Sequence, residues 1–370
     1  MPNASGSSRH FYWLDWMRFT AAFLVVACHA RGGNWVEWGR LDSMYQTKMA
    51  YVFFALTRDG FECVIVFFAL SGFLVGGKVL DRVGSDNFNA MSYAVDRISR
   101  IWMPLIPALL LTAAIGWFLG NSMSVWGFLG NLLGLQGILC GNFGGNDPLW
   151  SLSYEIWFYI LAGCMAVAIN PRSPNKIWAY FGVTIGVLVF TRLEAALLFC
   201  WILGAVSFSQ INIKKYGKAT IAGCLLVIAG FVLSQLKSET GSLDKRAFMQ
   251  FLPSRSVATL ILSAGLALVM LALTQLRPSS SLAAAFERLG SRLVAFSYTL
   301  YLTHFPLIEL WKHFIPNRHA TINLPSILLF FAEIASCLLV AWILYLPFER
   351  KTTRVRAWLG DRFEINTRCR

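Results

Sequence analysis

Charge is scarce in this sequence. Of its 370 residues only 14% are Asp, Glu, Lys or Arg, where a soluble domain carries about a quarter. That deficit excludes an ordinary soluble enzyme. It comes with 56% hydrophobic residues and a mean hydropathy of +0.57, the values of a polytopic membrane protein. Acids are the rarer sign, 19 against 32 Lys and Arg, leaving a net charge of +13. A surplus of that size can mark nucleic-acid binding, but no stretch interleaves basic and aromatic residues, so nucleic acid is excluded as a partner. The eight cysteines are scattered, six of them inside or beside apolar runs, without a Cys-x-x-Cys or Cys/His ligand spacing. They read as small buried hydrophobes, with no metal site or disulfide framework among them. There is no serine nucleophile elbow, no Gly-rich phosphate loop, no zincin motif and no internal repeat. The first residues lack the small-residue cleavage pattern of a secretory signal, so the first span is read as retained.

What is present is a series of apolar runs near 11–31, 60–80, 101–120, 148–170, 176–193, 195–211, 218–236, 255–276, 293–315 and 324–347. Several approach the ~20 residues that a helix needs to cross a bilayer. The expected fold is an all-α integral membrane protein, a bundle of about ten transmembrane helices with a central polar cavity. Lys78, Arg82, Arg97, Arg100, Arg172, Lys176, Lys214, Lys215, Lys218, Arg277, Arg288 and Arg292 fall on one side of such a topology. The inside bias of Lys and Arg then makes both termini cytoplasmic. Residues 1–350 form the transmembrane domain, and 351–370, with Arg350 just before it, a basic cytoplasmic tail that suits anionic lipid. The 121–147 connection has no Lys or Arg, and its glycines recur at helical spacing (127, 130, 134, 137, 141). It is expected to form a short helix with a small-residue face at the membrane interface.

The most informative stretch is LDWMRFTAAFLVVACHA, residues 14–30. Arg18 and His29 are eleven residues apart. Eleven helical steps of ~100° return to within roughly 20° of the start, so both side chains share a face at heights that differ by ~16 Å. Asp15 is one turn before Arg18 and can orient it. Charge facing lipid costs several kcal/mol, so this stripe needs an interior. Arg97 and Arg100 in RISRIWMP stand one turn apart and can fork onto one phosphate or diphosphate, at the level of Arg18. Toward the other end lie His29, Glu62, and Glu155 near Ser151 and Ser153; span nine brings Tyr301, His304 and Glu309, and span ten Glu333. His29 can serve as general base, with Glu62 or Glu155 orienting it or stabilising its imidazolium. His304 reads as a packing residue.

These motifs together resemble the membrane acyltransferase-3 family: Arg18-x10-His29, GFECVIVFFALSGFLVGG, RISRIWMP, PLWSLSYEIWFY, SYTLYLTHFP and the terminal PFER. The resemblance covers nearly the whole chain. It departs from the family pattern at Glu62, where Asp is usual, and at Phe19, where a small residue is usual. It implies transfer of an acyl group from cytoplasmic acyl-CoA to a hydroxyl of an exopolysaccharide or lipid-linked glycan across a bacterial inner membrane. It further implies His29 as the catalytic residue and Arg18, Arg97 and Arg100 at the donor, with no bound cofactor. The length and plan are similar to exopolysaccharide-decorating members, including the succinoglycan succinyltransferase type. The donor would be succinyl-CoA or acetyl-CoA, with polysaccharide-assembly proteins as further partners. For a dicarboxylate acyl group, Arg31 or Arg58 would supply an extra cation. Read without the resemblance, the same intramembrane charges also suit a transporter or flippase of a charged or glycolipid solute, or a scaffold whose polar groups only fix helix packing.

Overall fold

The computed structural model describes residues 11–171, 173, 176–210, 217–238, 254–276 and 281–363, and among them every regular element is helical. In chain order these are α1 (Tyr12–Asn34), α2 (Lys48–Leu56), α3 (Gly60–Ser71), a π-helical turn (Gly72–Gly76), α4 (Gly77–Gly84), α5 (Ala90–Phe118) and α6 (Val125–Leu132). There follow α7 (Trp150–Ile169), α8 (Lys176–Val189), α9 (Ala195–Ser209), α10 (Gly217–Ser238), α11 (Arg255–Leu273), α12 (Ser281–Val294), α13 (Ser297–Phe314), α14 (Leu324–Tyr345) and α15 (Thr352–Arg362). Of the basic residues expected on one side, Arg172, Lys214, Lys215, Arg277, Arg368 and Arg370 lie outside the described residues.

Among the described residues, six stretches are long and apolar enough to cross a membrane: Lys48–Gly84, Ala90–Phe118, Asp147–Ile169, Gly217–Leu236, Arg255–Leu273 and Leu324–Arg362. A seventh is added if Ala284–Val294 and Ser297–Phe314, bent by 51°, count as one. The expected count of about ten is therefore not reached. All ten apolar runs are helical, but α8 and α9 have only 14 and 15 residues. At ~1.5 Å per residue neither spans a hydrocarbon core by itself. Helix α1 has 23 residues, but Asp15, Arg18, His29 and Arg31 dilute its apolar character.

Helix α1 is nevertheless the hub. It packs against α3, α12, α13 and α14. Ala21, Ala22, Ala27 and Ala30 on it are buried, and their small side chains let the neighbours approach closely. The second hub is the contact of α9 with α3 and its π turn. A Cβ on Gly72 would lie 1.9 Å from the Trp201 carbonyl oxygen, and one on Gly204 2.2 Å from that of Ala69. Both glycines are needed because backbone meets backbone there. The π turn follows at once, a local widening that often accompanies a functional site. It sets Ser71 and Lys78 on the same inner wall.

The 121–147 connection contains the expected short helix, α6, which carries Gly127 and Gly130, but the glycine face does not continue beyond it. Helix α6 ends at Leu132, and Gly134 and Gly137 adopt positive φ (71° and 78°), so they are turn residues. The segment is organised by the fully buried Asn131, which donates to the Gly127 and Gly141 carbonyls (both 2.9 Å) and accepts from the Phe143 amide. It grips the start of α7, where Ser153 Oγ and Trp157 Nε1 both donate to the Gly134 carbonyl. Residues 352–362 of the basic tail form α15, which packs on α5 through an Arg356–Asp96 ion pair of 2.8 Å.

Gly72→Ala should lower stability by ~1–3 kcal/mol through overpacking. Gly32→Ala on α1, where an added Cβ meets nothing within 4 Å, should be neutral or stabilise by up to ~1 kcal/mol. Thermal unfolding in detergent reads both; equal effects from the two would refute the close-approach account.

Candidate active site

Two cavities lie along α1. The first, of about 260 Å³, is lined by Arg18, Lys78, Arg97 and Arg100 together with Glu155 and the hydroxyls of Ser71, Ser151, Tyr159, Tyr298 and Tyr301. The three arginines expected at one level do meet. Arg97 and Arg100 are each supported by neighbouring carboxylates and rings. Arg97 pairs with Asp96 at 3.0 Å and lies over the Tyr159 ring at 5.2 Å. Arg100 lies over Tyr298 at 5.9 Å and reaches Glu349 at 3.2 Å. Glu349 is buried, and its other oxygen accepts from the Thr299 amide (3.2 Å) and hydroxyl (2.7 Å). Planar guanidinium groups stacked on rings and tied to carboxylates lose little freedom when they bind an anion.

Glu155 belongs to this cavity and is not among the residues that line the histidine's. A directed relay fixes it. Trp201 Nε1 donates to Ser71 Oγ (3.2 Å), Ser71 Oγ lies 3.1 Å from the Tyr159 hydroxyl, and Tyr159 donates to Glu155 at 2.6 Å. With the tyrosine proton on the carboxylate, the serine proton serves the tyrosine oxygen and every donor is used. Asp15 sits on α1 one turn before Arg18 and does not line either cavity.

The second cavity, of about 500 Å³, is lined by His29, Cys28, Arg58, Glu62, Asp147, Glu194, Ser234 and Arg255, with Phe61, Trp150 and Tyr154 as its aromatic wall. His29 and Glu62 are thus brought together as expected. Ser234 donates to Glu62, and Gln235 to the neighbouring Asp59. Phe61 stacks on Trp150 at 6.0 Å and 17°, and the Arg255 guanidinium lies 3.7 Å from the Phe61 centroid. Acids, cations and a flat aromatic wall in one pocket suit a polyhydroxylated ligand whose hydroxyls need acceptors and whose faces are apolar. Of the two extra cations considered, Arg58 lines this cavity, whereas Arg31 is buried over the Phe54 ring at 5.1 Å.

His304 stands against His29, ring centroids 5.3 Å apart and tilted 41°, and is fully buried. Its Nδ1 lies 3.2 Å from the Leu300 carbonyl, and its Nε2 has no hydrogen-bond partner. Glu309 pairs with Lys312 at 2.6 Å, and Glu333 lines neither cavity. Sequence reasoning missed Lys78, Tyr159, Tyr298, Glu349 and Asp147. Lys78 looked like one more inside-bias charge. Glu349 was visible as the acid of PFER without a stated partner. Asp147 precedes the PLWS motif and carries no signal of its own.

No curated protein and no solved structure matches the chain. The acyltransferase-3 family model, described as an acyltransferase domain, matches residues 11–346. That span begins at the foot of α1, ends at the close of α14 and includes every residue lining the two cavities. The chain belongs to the acyltransferase-3 family and is a multi-pass membrane acyltransferase.

Proposed function

We propose that the chain moves an acyl group, succinyl or acetyl, from cytoplasmic acyl-CoA to a hydroxyl of an exopolysaccharide or lipid-linked glycan. One observation carries the reading: Arg18 and His29, on one face of one helix, line two separate cavities that meet. The cavity with four cations is suited to the donor's phosphates, since charge-assisted bonds from fixed guanidinium groups are the strong ones. The cavity with His29, three acids and an aromatic wall is suited to a sugar. In this reading the arginine cavity faces the cytoplasm of a bacterial inner membrane, as do both termini. Lipid, and polysaccharide-assembly proteins that deliver the glycan, are the remaining partners.

His29 removes the proton of the attacking hydroxyl. The hydroxyl oxygen bonds to the thioester carbonyl carbon, and a tetrahedral oxyanion forms. The carbon–sulfur bond then breaks, and the leaving thiolate takes the proton back from His29. Glu62, in the same cavity, stabilises the imidazolium. Glu155 stays with the donor, where its charge offsets one of four cations and its relay holds it in place. Arg58 or Arg255, both lining this cavity, meets the free carboxylate of a succinyl group. The ~16 Å between Arg18 and His29 along the helix is the reach required of the pantetheine arm.

Purified His29→Ala protein in lipid should lose transfer by ~10²–10⁴-fold, the usual contribution of a general base, while still binding acyl-CoA. Full transfer by a folded variant would remove His29 from the reaction. Arg100→Ala should weaken acyl-CoA binding by roughly ten- to a hundredfold, the loss of one hydrogen bond to a charged group. Acceptor affinity should not change. Calorimetric titration of each substrate separates these, and an unchanged donor affinity would contradict the donor assignment.

A further inference from the structure

The two cavities have two lining residues in common, Val64 of α3 and Tyr301 of α13. Both are buried, at 4% and 6% exposure, and stand as a thin wall between two separate cavities. The Tyr301 ring rests against Phe67, centroids 5.5 Å apart. Its hydroxyl is clasped from the other side by the start of α7: Ser151 Oγ at 2.7 Å and the Pro148 carbonyl at 3.1 Å. Ser151 also reaches the Pro148 carbonyl, at 3.1 Å. Two hydroxyl protons serve three contacts, so the clasp can rearrange without falling apart. Hydrogen bonds of this kind have modest net strength. The ring is therefore held shut by contacts that a ligand can replace.

We propose that Tyr301 is the door between the cavities, shut in the free protein and displaced when a ligand arm passes from the arginines toward His29. Its catalytic consequence rests on the donor-and-acceptor reading above, but the door itself does not. With the door shut, water in the histidine cavity cannot reach a thioester held beside the arginines. Hydrolysis, in which water oxygen bonds to the acyl carbon and the carbon–sulfur bond breaks to give a carboxylic acid and a thiol, is suppressed until the arm has passed. Tyr301 is thus a positioning residue that couples donor use to transfer.

Cys28 reports on the door because it lines the histidine cavity and is only partly buried. The full chain is placed in lipid vesicles, and its orientation is scored by protease access to the C-terminal tail. An impermeant sulfonated methanethiosulfonate is added from the face of Arg97 and Arg100, and labelling of Cys28 is read by peptide mass spectrometry. In the native protein this labelling should be slow. Tyr301→Ala should speed it by roughly tenfold or more, because the reagent no longer waits for a closed state to open. Tyr301→Phe, which keeps the ring on Phe67 but loses the clasp, should label faster than the native protein and more slowly than Tyr301→Ala. Val64→Ala, on the opposite jamb, should raise labelling in the same direction and covers the case in which Tyr301→Ala fails to fold.

Unchanged labelling in both folded alanine variants would overturn the proposal. So would Tyr301→Phe labelling as fast as Tyr301→Ala, since the ring would then not be the barrier. Tyr301→Ala should also raise acceptor-free acyl-CoA hydrolysis relative to transfer. Faster labelling without that rise would support the door and count against acyl-CoA as the arm that passes it.

Discussion

An arginine and a histidine on one face of an intramembrane helix are the constraint on which the rest of this structure depends. Neither can face lipid without a cost of several kcal/mol. Helix α1 is accordingly ringed by α3, α12, α13 and α14, and the space left beside its polar face is divided between two cavities. The alanines on its other positions let the neighbours come close enough to do this. The polar stripe that weakens α1 as a membrane span is the feature that makes it the centre of the bundle.

Around that stripe the protein spends its buried polar groups on holding charges still. Tyr159, Ser71 and Trp201 fix Glu155, and the Tyr159 ring also lies under Arg97. Glu349, anchored by Thr299, fixes Arg100 from the C-terminal end of the chain. Asp96 joins Arg97 to Arg356 of α15, which gives residues 352–362 a packing role against α5. Fixed cations in a site of low dielectric bind anions without reorganising first, the condition under which electrostatic recognition is strongest.

Much of this was legible in the sequence because helical geometry is periodic. The shared face of Arg18 and His29, the one-turn pairing of Arg97 with Arg100, and the companionship of His29 and Glu62 all follow from spacing or from span order. The position of Glu155 did not. Which neighbour faces it depends on a relay through Ser71 and Trp201 from two other helices. The described helices support six or seven of the expected spans rather than ten, for a related reason. Apolar composition marks a buried helix and a membrane helix alike, so α8 and α9 read as full spans although each is too short. Gly134 and Gly137 continue the helical spacing of Gly127 and Gly130 but serve turns, because Asn131 closes the segment on itself through contacts that no period reveals.

The measurement that tests the account most directly is a cryo-EM structure with a non-hydrolysable acyl-CoA analogue in lipid. The account predicts phosphate density against Arg97, Arg100 and Lys78, with the thioether end beside Tyr301 and Val64, pointing to His29. Density for the phosphates in the His29 cavity, or on a surface away from both cavities, would contradict it.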